Sequence, residues 1–144
     1  MLSEIIEKKR YSFHDGFDNW EEAIAASCKP LIEEKVIEEE YVDSIINSVK
    51  KFGPYIVIAP NICIPHAQEG KGVNDTAICF MKTDKPVHFS DKPEEAAQLF
   101  FVLASTDNEK HMNNLVNMVS LIEDQEVVNK LLNAKSVEDL KSLL

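Results

Sequence analysis

Apolar positions in this chain change their spacing several times, and each change marks an element. From about residue 19 to 34, Trp20, Ile24, Cys28 (with Ser27) and Leu31 recur every three or four positions. Asp18 followed by Glu21 resembles a capping box, so the pattern predicts a helix there. A second helix is predicted over residues 39 to 52, where Val42, Ile45, Ile46 and Val49 share a face. Glutamates open it, Lys50-Lys51 close it and Gly53-Pro54 stops it, so dipole, cap and stop signals agree. The period then gives way to short, nearly continuous apolar runs at residues 55 to 59, 77 to 81 and 99 to 104. Their β-branched and aromatic content favours strands, and a strand apolar on both faces must be covered on both. The expected architecture is a sheet sandwiched between helical layers.

The flanking segments complete this picture. The start of the chain allows a short helix, Tyr11-Ser-Phe-His14 alternates as a strand, and Asp15-Gly16 supplies a turn. Thr83-Asp-Lys-Pro86 reads as a reversal, followed by a short strand at Val87-His-Phe89. A helix is predicted from Asn108 with Leu115, Met118, Val119 and Ile122 as its buried stripe. Two more are predicted over residues 125 to 133 and 137 to 144, the last capped by Ser136 with Asp139 three residues on. Leu131, Leu132, Leu140, Leu143 and Leu144 supply apolar surface for packing. With 144 residues, no long linker, no repeat and no low-complexity tract, a single domain over 1–144 is expected. A chain of this size buries roughly two-thirds or more of its unfolded surface.

Charge narrows the function. Fifteen basic against twenty-five acidic residues give a net charge of −10, which disfavours binding to phosphate backbones and therefore a nucleic-acid partner. A basic protein partner fits the sign better. No apolar run approaches the roughly 20 residues that span a bilayer, and the first ten residues lack a signal peptide's apolar segment, so a cytoplasmic chain without membrane insertion is expected. Cys28, Cys63 and Cys79 lie in or near apolar runs with no C-x-x-C spacing, and read as buried reduced thiols.

The candidate chemistry centres on Gly53 to Ala67, Gly-Pro-Tyr-Ile-Val-Ile-Ala-Pro-Asn-Ile-Cys-Ile-Pro-His-Ala. Pro65 prevents a helix and stiffens the approach to His66, Ala67 leaves the imidazole uncrowded, and residues 68 to 72 read as an exposed loop. His111 lies in the first turn of a helix, where unpaired backbone N–H groups and the dipole favour an anion. Together the two histidines would make a phosphate-handling site. One imidazole would attack phosphorus while its other nitrogen is held by a hydrogen bond, and the second would donate to phosphoryl oxygens. Read from spacing alone, a structural role is the first reading for each histidine and the paired site the second. His14 and His88 read as solvent-facing, and the glutamate clusters at 33–34 and 38–40 as solvated faces and helix starts. A zinc site of His66, His111 and either His14 or His88 has no close His/Cys spacing behind it. Walker, G-x-G-x-x-G, H-E-x-x-H and G-x-S-x-G signatures are absent, and Gly70-Lys-Gly72 is too short for a phosphate loop.

The Gly53 to Ala67 stretch resembles the phosphorylation-site motif of the mannitol/fructose-type (type 2) IIA domains of the bacterial phosphoenolpyruvate-dependent sugar phosphotransferase system (PTS). The likeness extends over nearly the whole chain, including the helical segment before Gly53, Lys85-Pro-Val-His-Phe89, and residues 103 to 124 with His111. The Gly-Pro-Tyr-x-Val-Ile-Ala-Pro wording is most like the ascorbate-specific branch. The resemblance implies an α/β fold, a three-layer α/β/α sandwich with a mixed sheet. It implies that His66 takes a phosphoryl group from the phosphohistidine of HPr and passes it to a cysteine of a IIB protein or domain, with His111 steadying the group. It implies no metal or organic cofactor, and it gives the acidic surface a use, since HPr presents basic residues around its histidine. A regulatory paralogue that senses phosphorylation state, and a binding module on the same fold, remain as alternatives. The chain departs from the pattern after the histidine, where Ala67 and Gln68 stand in place of the glycine or arginine of many relatives. Its one arginine, Arg10, gives no evident counterpart to the arginine that assists mannitol-type sites.

Overall fold

The computed structural model describes residues 1–67 and 71–144. Eleven elements follow one another: α1 (Leu2–Glu7), β1 (Tyr11–His14), α2 (Trp20–Glu33), α3 (Glu39–Phe52), β2 (Val57–Ala59), β3 (Asn61–Cys63), β4 (Ala77–His88), β5 (Ala96–Ala104), α4 (Asn108–Glu123), α5 (Gln125–Leu132) and α6 (Val137–Lys141). The strands form one mixed sheet in the order β1-β4-β5-β3-β2. β1 runs parallel to β4 and β3 parallel to β5, while β4 with β5 and β2 with β3 are antiparallel.

Alternation along β4 and β5 divides the core in two. Cys79, Met81, Phe100 and Val102 face α2 and α3, joining Ile24, Cys28, Leu31, Val42 and Ile45. Ile78, Phe80, Leu99, Phe101 and Leu103 face the other way, joining Ile5, Met118, Leu121, Val128, Leu131 and Leu140 from α1, α4, α5 and α6. The period-two backbone sends neighbouring side chains to opposite faces, and because both sets are apolar the sheet needs a helical layer on each side. This is the expected three-layer α/β/α arrangement.

Several local expectations are corrected. The helix α2 is capped one residue later than Asp18: Asn19 Oδ1 accepts the Glu22 N–H at 2.9 Å, and Asn19 with Glu22 has the same spacing as the predicted box. Tyr55 and Ile56 form a turn outside the strand, and the two short strands that follow are joined at Pro60-Asn61, with Asn61 at a φ of 67°. That left-handed conformation suits asparagine. Residues 83 to 86 are no reversal. β4 continues through them, and its register against β5 jumps from Lys82–Leu99 to Val87–Ala97. The excursion is held by Gln98, whose Nε2 donates to the Thr83 and Asp84 carbonyls at 3.1 and 3.0 Å, and it gives Pro86 a place where no ladder N–H is required. In α6 the Ser136 side chain makes no cap bond. Asp139 Oδ2 instead accepts the Lys135 N–H at 2.7 Å, and the helix stops at Lys141. Val119, predicted to be buried, is exposed, and Leu121 takes its place beside Met118.

Candidate active site

Because β3 and β5 are parallel, their carboxyl ends open on the same side of the sheet, and the chain leaving each one carries a histidine. The crevice outside the carboxyl ends of parallel strands is where open α/β sheets commonly place ligands. Beyond β3, the Leu103 N–H donates to the Pro65 carbonyl at 3.1 Å, so the segment leading to His66 is tied to β5 although it has left the strand. Beyond β5 the chain turns into α4, whose first turn holds His111.

His66 is half-buried and fixed on three sides. Its Nδ1 lies 2.5 Å from the Ile64 carbonyl. A carbonyl only accepts, so Nδ1 carries the proton and Nε2 keeps the lone pair. The Tyr55 ring meets the imidazole edge-on, with centroids 5.3 Å apart and planes at 86°, and its hydroxyl donates to the His66 carbonyl. From α3, the buried Tyr41 hydroxyl donates to the Leu103 carbonyl at 2.5 Å and accepts the Ala67 N–H at 3.3 Å. Burial pushes the Tyr41 phenol up to about 12, so it remains a donor at neutral pH. Behind it, a Cβ on Gly72 would lie 2.8 Å from the Tyr41 backbone nitrogen, and Gly72 sits at a φ of 80°. This glycine therefore serves the close approach of a loop to the start of α3. The neighbouring residues 68 to 70, read as exposed loop, lie outside the described residues.

His111 is set by a chain of caps. Thr76 Oγ1 accepts the N–H groups of Thr106 and Asp107, both at 2.8 Å. Asp107 Oδ1 accepts those of Glu109 and Lys110 at 3.0 and 3.1 Å, and the Asp107 carbonyl takes that of His111 at 3.0 Å. The expectation of unpaired amides for an anion at this helix end is thus corrected: an aspartate already occupies them. What His111 offers is its ring. Its Nδ1 is buried without a hydrogen-bond partner among the described residues. Tyr41, His66, Ala67, Val73, Leu103, Ser105 and His111 line one cavity of about 310 Å³, so the two histidines share a site.

The other candidates lie apart from this cavity. His14 and His88 are both exposed, as expected, and neither lines it. His14 packs on Phe17, and partial desolvation together with Lys29 lowers its pKa. Arg10 is buried and makes a two-pronged contact with Glu34, Nε to Oε2 at 2.9 Å and Nη2 to Oε1 at 2.7 Å. It ties the entry of β1 to the end of α2, and no arginine or lysine is among the described residues lining the cavity. All three cysteines are buried and free; burial drives Cys28 up to about 12 and raises Cys63 and Cys79 as well, which keeps them as unreactive thiols. Tyr41 and Tyr55 were not singled out from the sequence as site residues. The available signal was a phenol at a core-facing helix position, since a buried tyrosine hydroxyl needs a polar partner.

A fold of this architecture has relatives. The family model described as "Phosphoenolpyruvate-dependent sugar phosphotransferase system, EIIA 2" matches residues 4–144, and the chain belongs to this family. It is 34% identical over 121 residues to the ascorbate-specific PTS system EIIA component of Mycoplasma pneumoniae, covering 83% of this chain and 76% of that one. The solution structure of the mannitol-specific cryptic phosphotransferase enzyme IIA of Escherichia coli superposes with a TM-score of 0.87 at 27% identity, covering 99% of this chain and 96% of that one. The mannitol enzyme IIA of Escherichia coli, solved in complex with phosphorylated mannitol enzyme IIB, shares the fold at a TM-score of 0.79 and 21% identity, with 94% and 93% covered. Among the described residues, no helix is long and apolar enough to cross a membrane.

Proposed function

We propose that this chain is a cytoplasmic histidine phosphocarrier of a sugar phosphotransferase system, serving uptake of ascorbate or a related sugar or pentitol. In this reading His66 accepts a phosphoryl group from phospho-HPr and hands it to a cysteine of a IIB protein or domain. The observation that carries it is the placement of His66, its Nδ1 proton held by the Ile64 carbonyl, in one cavity with His111.

The chemistry follows from that placement. The Nε2 lone pair of His66 attacks phosphorus, the N–P bond of the donor histidine breaks, and the donor leaves as an imidazole. The phosphorylated His66 ring gains positive character, which the Ile64 carbonyl stabilises through the Nδ1–H bond. A cysteine thiolate of the acceptor then forms an S–P bond as the Nε2–P bond breaks, and His66 returns to its starting tautomer. The transition state in each direction is loose and charge-rich, so alignment and donors matter most. His111 supplies a donor beside His66, and the two tyrosines hold the His66 backbone against recoil. The ascorbate-specific name of the 34%-identical relative supports the sugar class, and the enzyme IIA–IIB complex of the mannitol relative supports the acceptor.

The test is intact-mass spectrometry after incubation with phosphoenolpyruvate, Enzyme I and HPr. A single acid-labile phosphate is expected on the wild type, absent from His66→Ala and acquired at least tenfold more slowly by His111→Ala. Addition of the cognate IIB should drain it. Full phosphorylation of His66→Ala would refute the assignment.

A further inference from the structure

At the β1 edge of the sheet, with β4 and β5 between it and β3, the end of α1, β1 and α2 wall a cavity of about 540 Å³, larger than the one that His66 and His111 share. Its balance of charge opposes that of the chain as a whole, which is net −10. Lys9 and Lys29 border it and make no ion pair among the described residues, although Glu33 stands one turn beyond Lys29 on α2. Lys8 is shared with Glu4 at 3.3 Å. Of the two glutamates on the wall, Glu34 is already held by Arg10, so Glu33 alone opposes the lysines. His14 borders the same space; partial desolvation and the Lys29 ammonium lower its pKa, which puts the two in one electrostatic neighbourhood. Lys9 also holds a disfavoured backbone conformation. The Arg10 N–H donates to the Ile5 carbonyl at 2.8 Å and the Lys9 N–H to that of Ile6 at 3.2 Å, the two bonds of a Schellman ending, with Lys9 at a φ of 57°. Glycine is the usual residue there, and strain of this kind gathers at ligand sites.

The uncharged groups narrow the ligand further. The period of two that sends Phe13 to the core beside Ile5 and Phe80 turns Ser12 and His14 to the other face of β1, toward α2. Ser12 Oγ is buried with no hydrogen-bond partner among the described residues, a deficit that a ligand oxygen on the cavity floor would end. On α2, Pro30 has no N–H, so the carbonyl of Ala26, four residues earlier and on the same wall, lacks its helical donor. Cations and a hydroxyl thus meet two acceptors, the Ala26 carbonyl and the Glu33 carboxylate. A carboxylate ligand is best served by an arginine fork, and the chain's single arginine is committed to Glu34, whereas separate lysine point charges suit a phosphate. The acceptors suit hydroxyl groups, and the volume lies within the roughly 300–1,000 Å³ of small-molecule sites. We infer that this cavity binds a small phosphorylated sugar or polyol, its phosphate among Lys9, Lys29 and His14 and its hydroxyls toward Ala26 and Glu33. This site is independent of the phosphocarrier reading, since none of its residues lines the cavity of His66.

The experiment follows backbone amide shifts of the isotope-labelled chain, with calorimetry for Kd, on addition of ribose, glucose or sorbitol, each phosphorylated at its terminal hydroxymethyl group. The controls are the unphosphorylated parents, inorganic phosphate and citrate. At least one of the three phosphates should move the amides of Ser12, His14 and Lys29 to saturation, with a Kd at least tenfold below those of its parent, inorganic phosphate and citrate. Lys29→Ala and Lys9→Gly should each weaken that binding at least fivefold. Lys9→Gly relieves the left-handed strain, so its Tm should equal or exceed that of wild type, which separates lost binding from lost fold. No saturable shift at these amides with any of the three overturns the inference. Equal affinity for inorganic phosphate or citrate also overturns it, because the cavity would then read charge alone. Shifts centred on Ala67 and His111 do the same, by assigning the ligand to the other cavity. The phosphocarrier reading stands or falls separately, on the labelling of His66.

Discussion

Tyr41→Phe isolates the brace behind His66. The substitution keeps the ring and its packing in the core and removes one oxygen, which donates to the Leu103 carbonyl at 2.5 Å and accepts from the Ala67 N–H at 3.3 Å. Leu103 is 3% exposed, so its carbonyl loses a partner that water cannot readily replace, a cost of about 1–3 kcal/mol. Ala67 is less buried and its bond is long, so its loss adds about 0.5 kcal/mol at most. A total of about 2 kcal/mol follows. With an unfolding entropy near 2.1 cal/mol/K per residue over 144 residues, this lowers Tm by about 7 °C. The functional effect has a separate origin. Without the hydroxyl, the strand end of β5 and the peptide after His66 are no longer tied to α3, and Nε2 samples positions away from the line of attack. The rate of phosphoryl acceptance should fall about tenfold, the scale on which small misplacements act. Thermal unfolding followed by circular dichroism, together with stopped-time phosphorylation, reads both effects. A Tm within 1 °C of wild type and an unchanged rate would refute the brace.

Two further outcomes follow from the same geometry. Thr76→Val removes the oxygen that accepts two backbone N–H groups ahead of α4, so a urea midpoint shift equivalent to about 2–3 kcal/mol is expected, with a slower phosphoryl transfer because the turn presenting His111 loosens. Arg10 holds the Glu34 carboxyl below its ordinary value of 4.5, chiefly through their side-chain hydrogen bonds. A depressed carboxyl stabilises the fold above pH 4.5, and this contribution is lost as pH falls through the lower folded value, leaving the buried guanidinium with the longer contact to Glu4 at 3.7 Å. With Glu34 38% exposed the effect is about 1 kcal/mol, and Glu34→Gln should flatten the stability profile below pH 4.5 while lowering it at pH 7.

How far the sequence carries the structure depends on whether a feature is local. The helix over 39 to 52 and the strand over 11 to 14 were legible to the residue, because caps, charges and periodicity all lie inside those segments. The two-sided core was legible from β4 and β5, whose unbroken apolar runs admit no solvent face. The reading failed where a distant partner decides the conformation. Thr83-Asp-Lys-Pro86 has the composition of a turn, yet Gln98 on the neighbouring strand bonds to it and holds the excursion against β5 within one continuous strand. Val119 fits the buried spacing of its helix as well as Leu121 does, and only the angle at which α4 lies on the sheet selects one over the other. In the site, His66 was marked by the proline before it. The tyrosines that hold it come from turn and helix positions 11 and 25 residues earlier, and nothing in their own neighbourhoods says where their hydroxyls end.

The electrostatics of the site point to a group held only in passing. The amides at the start of α4 are taken by Asp107, whose carboxylate also offsets the dipole that would otherwise favour phosphate. The chain's single arginine is committed to Glu34, and the cavity lining among the described residues contains neither arginine nor lysine. A phosphoryl group on His66 would thus meet the imidazole of His111, with no lysine or arginine among the described residues that line the cavity. That arrangement suits transfer in both directions. A deep cationic cradle would stabilise the phosphorylated state and raise the barrier to handing the group on, since binding that is as strong in the ground state as in the transition state does not speed the step. If the partner supplies the missing positive charge, stabilisation exists only while the two proteins are in contact, when the phosphoryl group is between them.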